Sequence, residues 1–569
     1  MEARVKLLLL LGLTVLLRLP FLNTPVQGDD HIYLTEAEHA LVDPLHPNNV
    51  KYVFIGDEVD LRGHSHPPGN AWVLAALLAI FGDVHEVPFH AVYIVFSLIA
   101  VASMWSIAQR FTERPEWATL LFLAVPAFLV NGNSFESDLP FLAFWMASVA
   151  MFLSGRAAPT VLCLSAAAMA AYQAVFLIPI LAVRRRTAVL LTPLLTIAGW
   201  QIFTRLTTGA APASQLAAYL IGYKFLAGAL QGALMLLIHS WFIVFPALVP
   251  FAFAAAWRRR RESDTLFLLA WIVIFLACGL PIFFAGSARY LLPIAAPVCI
   301  LASRLPVKFV APAFAAQLAL GLGLATANYQ HWEGYRDFAA RLKQPAPGHR
   351  FWVDNDWGLR YYLESRGALP ARKGQQIRPG DIVVTSDLSS NVHYTVPFAT
   401  AAEAEITPWI PLRLIGLDSH SGYSTVSKGF WPFGISTGPA DRIHARIVME
   451  RRPTLEYVTP KATDQIITGI DSTDGWTAKS AVVLLKTPSA PKIVRAEIYV
   501  PPNAKARNVT LMLDGVLVAT FDIPGPGKYT INSREPHAGS TLEIRVDETF
   551  RVPPDIRDLG VVLLGAGFV

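Results

Sequence analysis

The feature that most constrains this chain is the uneven placement of its apolar residues. Long runs crowd into residues 1–327, while 328–569 read like an ordinary soluble protein. A helix needs about 20 apolar residues to cross a bilayer, where no water is present to satisfy its backbone. Runs suited to this fall at 5–22, 88–108, 117–131, 138–154, 187–204, 232–256, 264–284, 290–303 and 306–326. Only 16% of the residues are charged, against about 25% in soluble domains. The expected fold is a polytopic α-helical membrane protein with a soluble half attached.

Two stretches are ambiguous: Pro67–Phe81 is short, and Ala158–Val183 is long for one span and short for two. Basic residues decide between the arrangements, because they collect on the cytoplasmic side. Arg4 and Lys6 place the start of the chain in the cytoplasm. If 67–81 lies on the surface and 158–183 bends near Tyr172, then Arg110, Arg114, Arg156, Arg184–Arg186, Arg258–Arg261, Arg304 and Lys308 all fall inside. Lys51, Arg62, Arg205, Lys224 and Arg289 stay scattered outside. The result is about 11 spans, with the soluble half exported. An opposite assignment moves only Arg110, Arg114 and Arg156 outside, and the charge rule disfavours it. The run Lys6–Leu22 lacks a following small-residue cleavage site and reads as an uncleaved first helix.

The net charge of +5 sits in short clusters between apolar runs, with no basic face for nucleic acid. Cys163, Cys278 and Cys299 all lie in apolar segments, so the soluble half is held without disulfides. It divides in two. Residues 328–460 mix a helical Asp356–Arg366 with a strand at Gly380–Ser386, an α/β pattern. Residues 461–569 alternate with period two in Val494–Val500, Val509–Leu513 and Leu542–Val546, as in an antiparallel sandwich. The expected domains are 1–327 in the membrane, with 23–87 as a first outer loop carrying surface helices, then 328–460 and 461–569.

The candidate chemistry sits at the outer ends of the spans. Asp29 and Asp30 follow the first span; gathering like charges at an interface is costly. One carboxylate can act as a general base on an acceptor hydroxyl, and its neighbour can orient the acceptor or hold a divalent metal. A solvated helix cap is the bland alternative. Glu136 and Asp138 form a second acidic cluster facing the same side, and Asp138 also suits an N-cap. His64 and His66 open the surface helix; with Asp29 and Asp30 they are possible metal ligands, though no third strong ligand is near. No cofactor is required. His66, Arg205, Arg289 and Tyr290 are placed to contact a leaving phosphate; snorkelling arginines and an interfacial tyrosine are the alternative. Tyr172 and Gln173 interrupt an apolar stretch on the outer side. No phosphate-cradling glycine loop is present, so nucleotide handling is not expected.

Taken in order, the segments GDDHIYLTEAEHAL, HPPGNAW, SFESDLPFLAFW, YQAVFLIP and ARYLLPIAAP resemble glycosyltransferases of the C-type fold, in the group of protein O-mannosyltransferases and lipid A aminoarabinose transferases. The resemblance covers about residues 1–327. It implies transfer of a sugar from a polyprenyl-phosphate carrier to a glycan, lipid or protein acceptor on the periplasmic side of a bacterial inner membrane. Asp29 and Asp30 match the family's catalytic acidic position, with Asp29 favoured as base. Glu136 and Asp138 match the acceptor- or sugar-binding site, where Tyr172 and Gln173 join them. Arg289 matches the phosphate contact. His66 falls where the aminoarabinose transferases carry a lysine, which puts the donor's identity in doubt. The carboxyl-terminal end lacks a β-trefoil pattern and resembles bacterial jelly-roll modules, with either a glycan-binding or a structural role. The implied reaction is a single, inverting displacement with optional metal. A transporter or flippase for lipid-linked sugars would gather polar groups at mid-membrane instead. A non-catalytic scaffold would not depend on Asp29.

Overall fold

A computed structural model describes residues 2–569 apart from 223–224, 284, 395, 457–463, 472–473, 507 and 554. Lys224 and the expected boundary at 460/461 lie outside the described residues.

The first half is helical, and its helices follow the apolar runs. Among the described residues, three are long and apolar enough to cross a membrane unaided: Glu86–Phe111, Ala188–Thr208 and Val307–Arg341. Others are shorter because proline or a polar break interrupts the run. The expected 117–131 span divides into Pro115–Leu123 and Pro126–Asn131; a proline at a helix interior loses a backbone donor, so the helix restarts with it. The Arg18 guanidinium caps the far end of Pro126–Asn131, donating to the carbonyls of Phe128 (2.7 Å) and Leu129 (2.9 Å). The expected 232–256 span also divides, into Phe225–Ser240 and Leu248–Arg258. The 158–183 stretch bends beside Tyr172, into Ala157–Ala170, a short 3₁₀ turn and Leu177–Ala182.

Contacts fix which helix ends share a face. Arg114 donates to the carbonyl of Leu305 (2.8 Å), and Arg304 to that of Phe111 (2.7 Å). Arg110 reaches Ser154 (3.3 Å), and Arg184 pairs with Asp264. The loops near residues 110, 154, 184, 264 and 304 therefore meet at one end of the bundle. The acidic segments meet at the other. This is the arrangement that the charge rule favours, with Arg110 and Arg114 on the side of Arg184 and Arg304.

The 23–87 segment carries helices Asp30–Val42 and Gly69–Phe81 and a hairpin, Lys51–Phe54 with Asp57–Asp60, that its sequence did not announce. Ile55 and Gly56 both turn with positive φ, as a tight hairpin demands. Positive φ is unfavourable for a β-branched residue; here the Ile55 N–H is tied to the Asp356 carboxylate (3.1 Å).

The expected boundary at residue 327 falls inside a single helix. Val307–Arg341 continues out of the apolar bundle, and its last turns, with Trp332, Tyr335 and Phe338, join the core of the next region. That core covers a five-stranded sheet in the order Leu369–Pro370, Phe351–Asp354, Ile382–Ser386, Asp441–Val448, Phe398–Ile406. Phe351–Asp354 runs parallel to its two neighbours, and the other pairings are antiparallel.

The carboxyl-terminal region is a sandwich of a four-stranded and a five-stranded sheet. One has the order Thr454–Glu456, Val562–Phe568, Val494–Val500, Gly527–Asn532. The other runs Ile466–Ile470, Thr477–Leu484, Thr541–Val546, Asn508–Leu513, Val516–Asp522. The chain changes sheet between most successive strands, while Ile466–Ile470 with Thr477–Leu484 and Asn508–Leu513 with Val516–Asp522 stay as neighbours within one sheet. Alternate residues such as Val494, Ala496, Ile498 and Val500 fill its core. The sandwich begins earlier than the expected 461, because Thr454–Glu456 pairs with Val562–Phe568.

Candidate active site

Two chain segments far apart in sequence close on a guanidinium carried by a third. Arg289 lies in a 3₁₀ turn, Ala288–Leu291, and its side chain is only 11% exposed. Its Nη1 pairs with Glu136, its Nη2 with Asp29 (3.3 Å), and its Nε faces Asp138 at 3.4 Å without hydrogen-bond geometry. The Tyr290 ring lies beside it, 5.7 Å from centroid to guanidinium carbon. Asp29, Glu136, Asp138, Arg289 and Tyr290 are thus one cluster.

Local sequence explains how the segments reach it. Gly28 has φ +46°, and a Cβ there would stand 3.0 Å from a Glu136 carboxylate oxygen, so only glycine lets the first loop approach so closely. Asp29 is the N-cap residue of helix Asp30–Val42, and its N–H donates to Glu136 (3.3 Å). Asp138 opens helix Asp138–Leu153, where a carboxylate meets the positive end of the helix dipole.

The two adjacent aspartates do different work. Asp29 keeps 35% of its side chain exposed. Asp30 is fully buried and accepts from Ser134 Oγ (2.8 Å), Phe135 N–H (2.8 Å) and Gln27 N–H (3.0 Å). Its acceptor sites are thus engaged in joining the first loop to the second acidic segment, which leaves it a positioning geometry in place of the expected shared catalytic one. Burial raises its pKa, and those three hydrogen bonds oppose the shift. Burial likewise raises the Glu136 carboxyl; the Arg289 charge opposes, while Asp29 and Asp138 add to it.

The other expected residues are placed differently. His66 is near enough to sense Arg289 and Asp29, but burial holds its pKa at about 3, with His64 adding to the effect. Its Nδ1 meets the Ala170 carbonyl (3.1 Å), so the neutral ring offers Nε2 as an acceptor and not a cation to a phosphate. His64 pairs through Nδ1 with buried Glu36 (2.9 Å). Among the described residues, no group of three or more His, Cys, Asp or Glu side chains is arranged to hold a metal ion; Asp29, Asp30, His64 and His66 do not converge as such a set. Tyr172 is bonded to Gln201 (3.2 Å), and the Gln173 Oε1 is buried without a hydrogen-bond partner. Arg205 is exposed on helix Thr192–Thr208 and forms no ion pair among the described residues.

One neighbour carried no sequence signal. Tyr423, from a loop of the 328–460 region, is buried against the bundle. Its carbonyl accepts from the Ala288 N–H (2.9 Å) and Ser287 Oγ (3.2 Å), directly beside Arg289, and its hydroxyl bonds Asn131. The same region grips the first loop. Tyr362 donates to Glu86 (3.0 Å) and accepts the Val26 N–H (2.8 Å), while His31 pairs with Glu364 (3.1 Å). A Cβ on Gly358 would lie 2.1 Å from the Val26 carbonyl, so glycine is what permits this docking.

Residues 65–182 match the family model described as dolichyl-phosphate-mannose-protein mannosyltransferase. The matched segment contains His66, Glu136 and Asp138. No curated protein sequence matches the chain. Among solved structures, ArnT from Cupriavidus metallidurans bound to undecaprenyl phosphate is similar at 12% identity and a TM-score of 0.44, over 67% of this chain and 93% of that one. The apo state of the same protein gives 12% identity and 0.45, over 71% and 97%. The arabinofuranosyltransferase AftD from Mycobacteria gives 12% and 0.38, over 99% of this chain and 61% of that one, in the mutant R1389S class 2 structure.

Proposed function

We propose that this protein is a membrane glycosyltransferase of the C-type fold that moves a sugar from a polyprenyl-phosphate donor to an acceptor on the outer side of a bacterial inner membrane. The observation that carries the reading is the meeting of Asp29, Glu136 and Asp138 on Arg289, four residues from three loops at one end of an apolar helix bundle. The description of the matched family adds a lipid-phosphate sugar donor. An orientation with about 11 spans, a cytoplasmic start and exported carboxyl-terminal regions puts the cluster at the outer leaflet.

In this reading Asp29 takes the proton of the acceptor hydroxyl as its oxygen bonds the anomeric carbon. The bond from that carbon to the phosphate oxygen breaks, and its electron pair leaves with the polyprenyl phosphate. The departing group needs charge stabilisation more than a proton. All three Arg289 nitrogens already face carboxylates, so a donor phosphate competes with them for the guanidinium. The Asp29 contact is longer than that to Glu136, and Asp29 is the most exposed of the three acids. A phosphate taking Nη2 releases Asp29 to act as base, which links donor binding to activation. Glu136 and Asp138 hold Arg289 in place and line the sugar side. A divalent metal remains an optional addition, and the sugar, hexosyl or pentosyl, is set by contacts that only the bound donor defines. A flippase is less favoured, because the charged cluster occupies a bundle end.

The test is mass spectrometry of envelope glycans and lipids in a strain lacking the gene, complemented with wild type or Asp29→Asn. Wild type restores a glycosylated species that the deletion loses; the variant falls short by roughly 10²–10⁴-fold in rate. A deletion that changes no glycan sinks the transferase reading. A fully active variant sinks the role of Asp29 alone.

A further inference from the structure

The end of helix Asp138–Leu153 away from Asp138 opens onto a second charged feature. Its 16 residues separate the two by about 24 Å at 1.5 Å per residue. A cavity of about 400 Å³ lies there, and its walls include Arg110, Phe111, Phe152, Arg184, Arg185 and Asp264. Three guanidiniums face one carboxylate.

The three arginines are not equivalent. Arg184 is fixed: it pairs with Asp264, reaches Ser263 Oγ (3.4 Å) and lies over the Phe111 and Phe267 rings at 5.2 and 5.0 Å. Its Nε is buried without a hydrogen-bond partner. Arg185 lies over the Phe152 ring at 5.3 Å, and Arg110 reaches only Ser154 Oγ. Neither forms an ion pair among the described residues. Arginines that serve only to orient a membrane helix can spread into solvent. These instead share one cavity, with the guanidiniums of Arg184 and Arg185 over aromatic faces and two positive charges left over.

We infer that this cavity is a second anion site, distinct from the Arg289 cluster, which takes the phosphate of an anionic lipid headgroup. Guanidiniums present paired donors to phosphate oxygens, and basic pockets between membrane helices suit headgroups of this kind. The site lies at the ends of the apolar helices Glu86–Phe111 and Asp138–Leu153, so the acyl chains of a bound lipid can run along the bundle. A free phosphate has no use for that apolar flank.

Native mass spectrometry of the full chain in detergent tests this, with phosphatidylglycerol, phosphatidylcholine or inorganic phosphate as the added probe. Wild type retains phosphatidylglycerol over phosphatidylcholine, and the double variant Arg110→Gln/Arg185→Gln retains it on the order of tenfold more weakly. Equal retention by the double variant overturns the site. Displacement of the lipid by millimolar inorganic phosphate overturns the lipid assignment in favour of a free anion. Melting curves without lipid check the fold. If the double variant melts early, Arg185→Gln alone replaces it: weaker retention of phosphatidylglycerol with a normal melt supports the site, and retention equal to wild type overturns it.

Discussion

The two ends of helix Asp138–Leu153 solve opposite electrostatic problems. At its start, Asp29, Glu136 and Asp138 surround one arginine, in a closed network where nearly every charge has a partner. At its finish, Arg110, Arg184 and Arg185 border an open cavity with Asp264 as their one acid. A closed network with surplus negative charge is costly to break and suits a reaction that needs a base held in register. An open cavity with surplus positive charge costs little to alter and suits reversible capture of an anion. The contrast is between charge that is locked and charge that is available.

That contrast can be broken at several points. Asp29→Asn has the largest expected effect, on transfer rate, with little change in melting temperature because Asp29 is the most exposed member. Arg289→Gln comes next. It leaves Glu136 and Asp138 buried without their counter-charge, which costs about 3–5 kcal/mol in a buried pair, read as a lower denaturation midpoint. Arg289→Gln combined with Glu136→Gln should recover part of that loss; no recovery would show that the network is not locked as described. Asp30→Asn should cost about 1–3 kcal/mol, since it removes the charge from an acceptor of buried donors; melting of the purified protein checks it. Arg110→Gln/Arg185→Gln should fall within about 0.5 kcal/mol of wild type in the absence of lipid. A large loss there would erase the difference between the two ends.

A pH test sharpens the picture where the 328–460 region docks. Burial raises the pKa of Asp356 to about 7, with the Arg360 charge opposing. The folded state therefore holds this proton more tightly than the unfolded chain, and the carboxyl's contribution to stability falls as pH rises from about 4 to about 7. Asp356→Asn should flatten that decline in a series of melts. An unchanged slope would mean that Asp356 does not ionise in this environment.

The bundle and the strands of the sandwich were legible from local patterning, and the bend in 158–183 from the length of the run and the charge rule. Grouping Arg110 with Arg184 and Arg304 was legible from charge alone. The division of labour between Asp29 and Asp30 was not. The residues are adjacent and identical, and what separates them is burial against Ser134 and Phe135, more than a hundred residues away. His66 reads as a candidate cation in sequence, but a buried ring beside His64 stays neutral. Inside 117–131 and 232–256 each run is long enough for one span, which outweighs the signals of Pro126 and of His239–Ser240. Tyr423 was beyond reach, since nothing in its Gly- and Ser-rich surroundings announces a partner beside Arg289.

The tie between the Tyr423 carbonyl and the Ser287–Ala288 backbone sets a schedule for the newborn chain. At about 5–20 residues per second, Tyr423 leaves the ribosome roughly 7–27 s after Arg289. Through that interval the arginine turn is present with its carboxylates but lacks its last brace. A chain truncated before residue 423 is therefore expected to lack this support for the arginine turn, read as lower transfer activity.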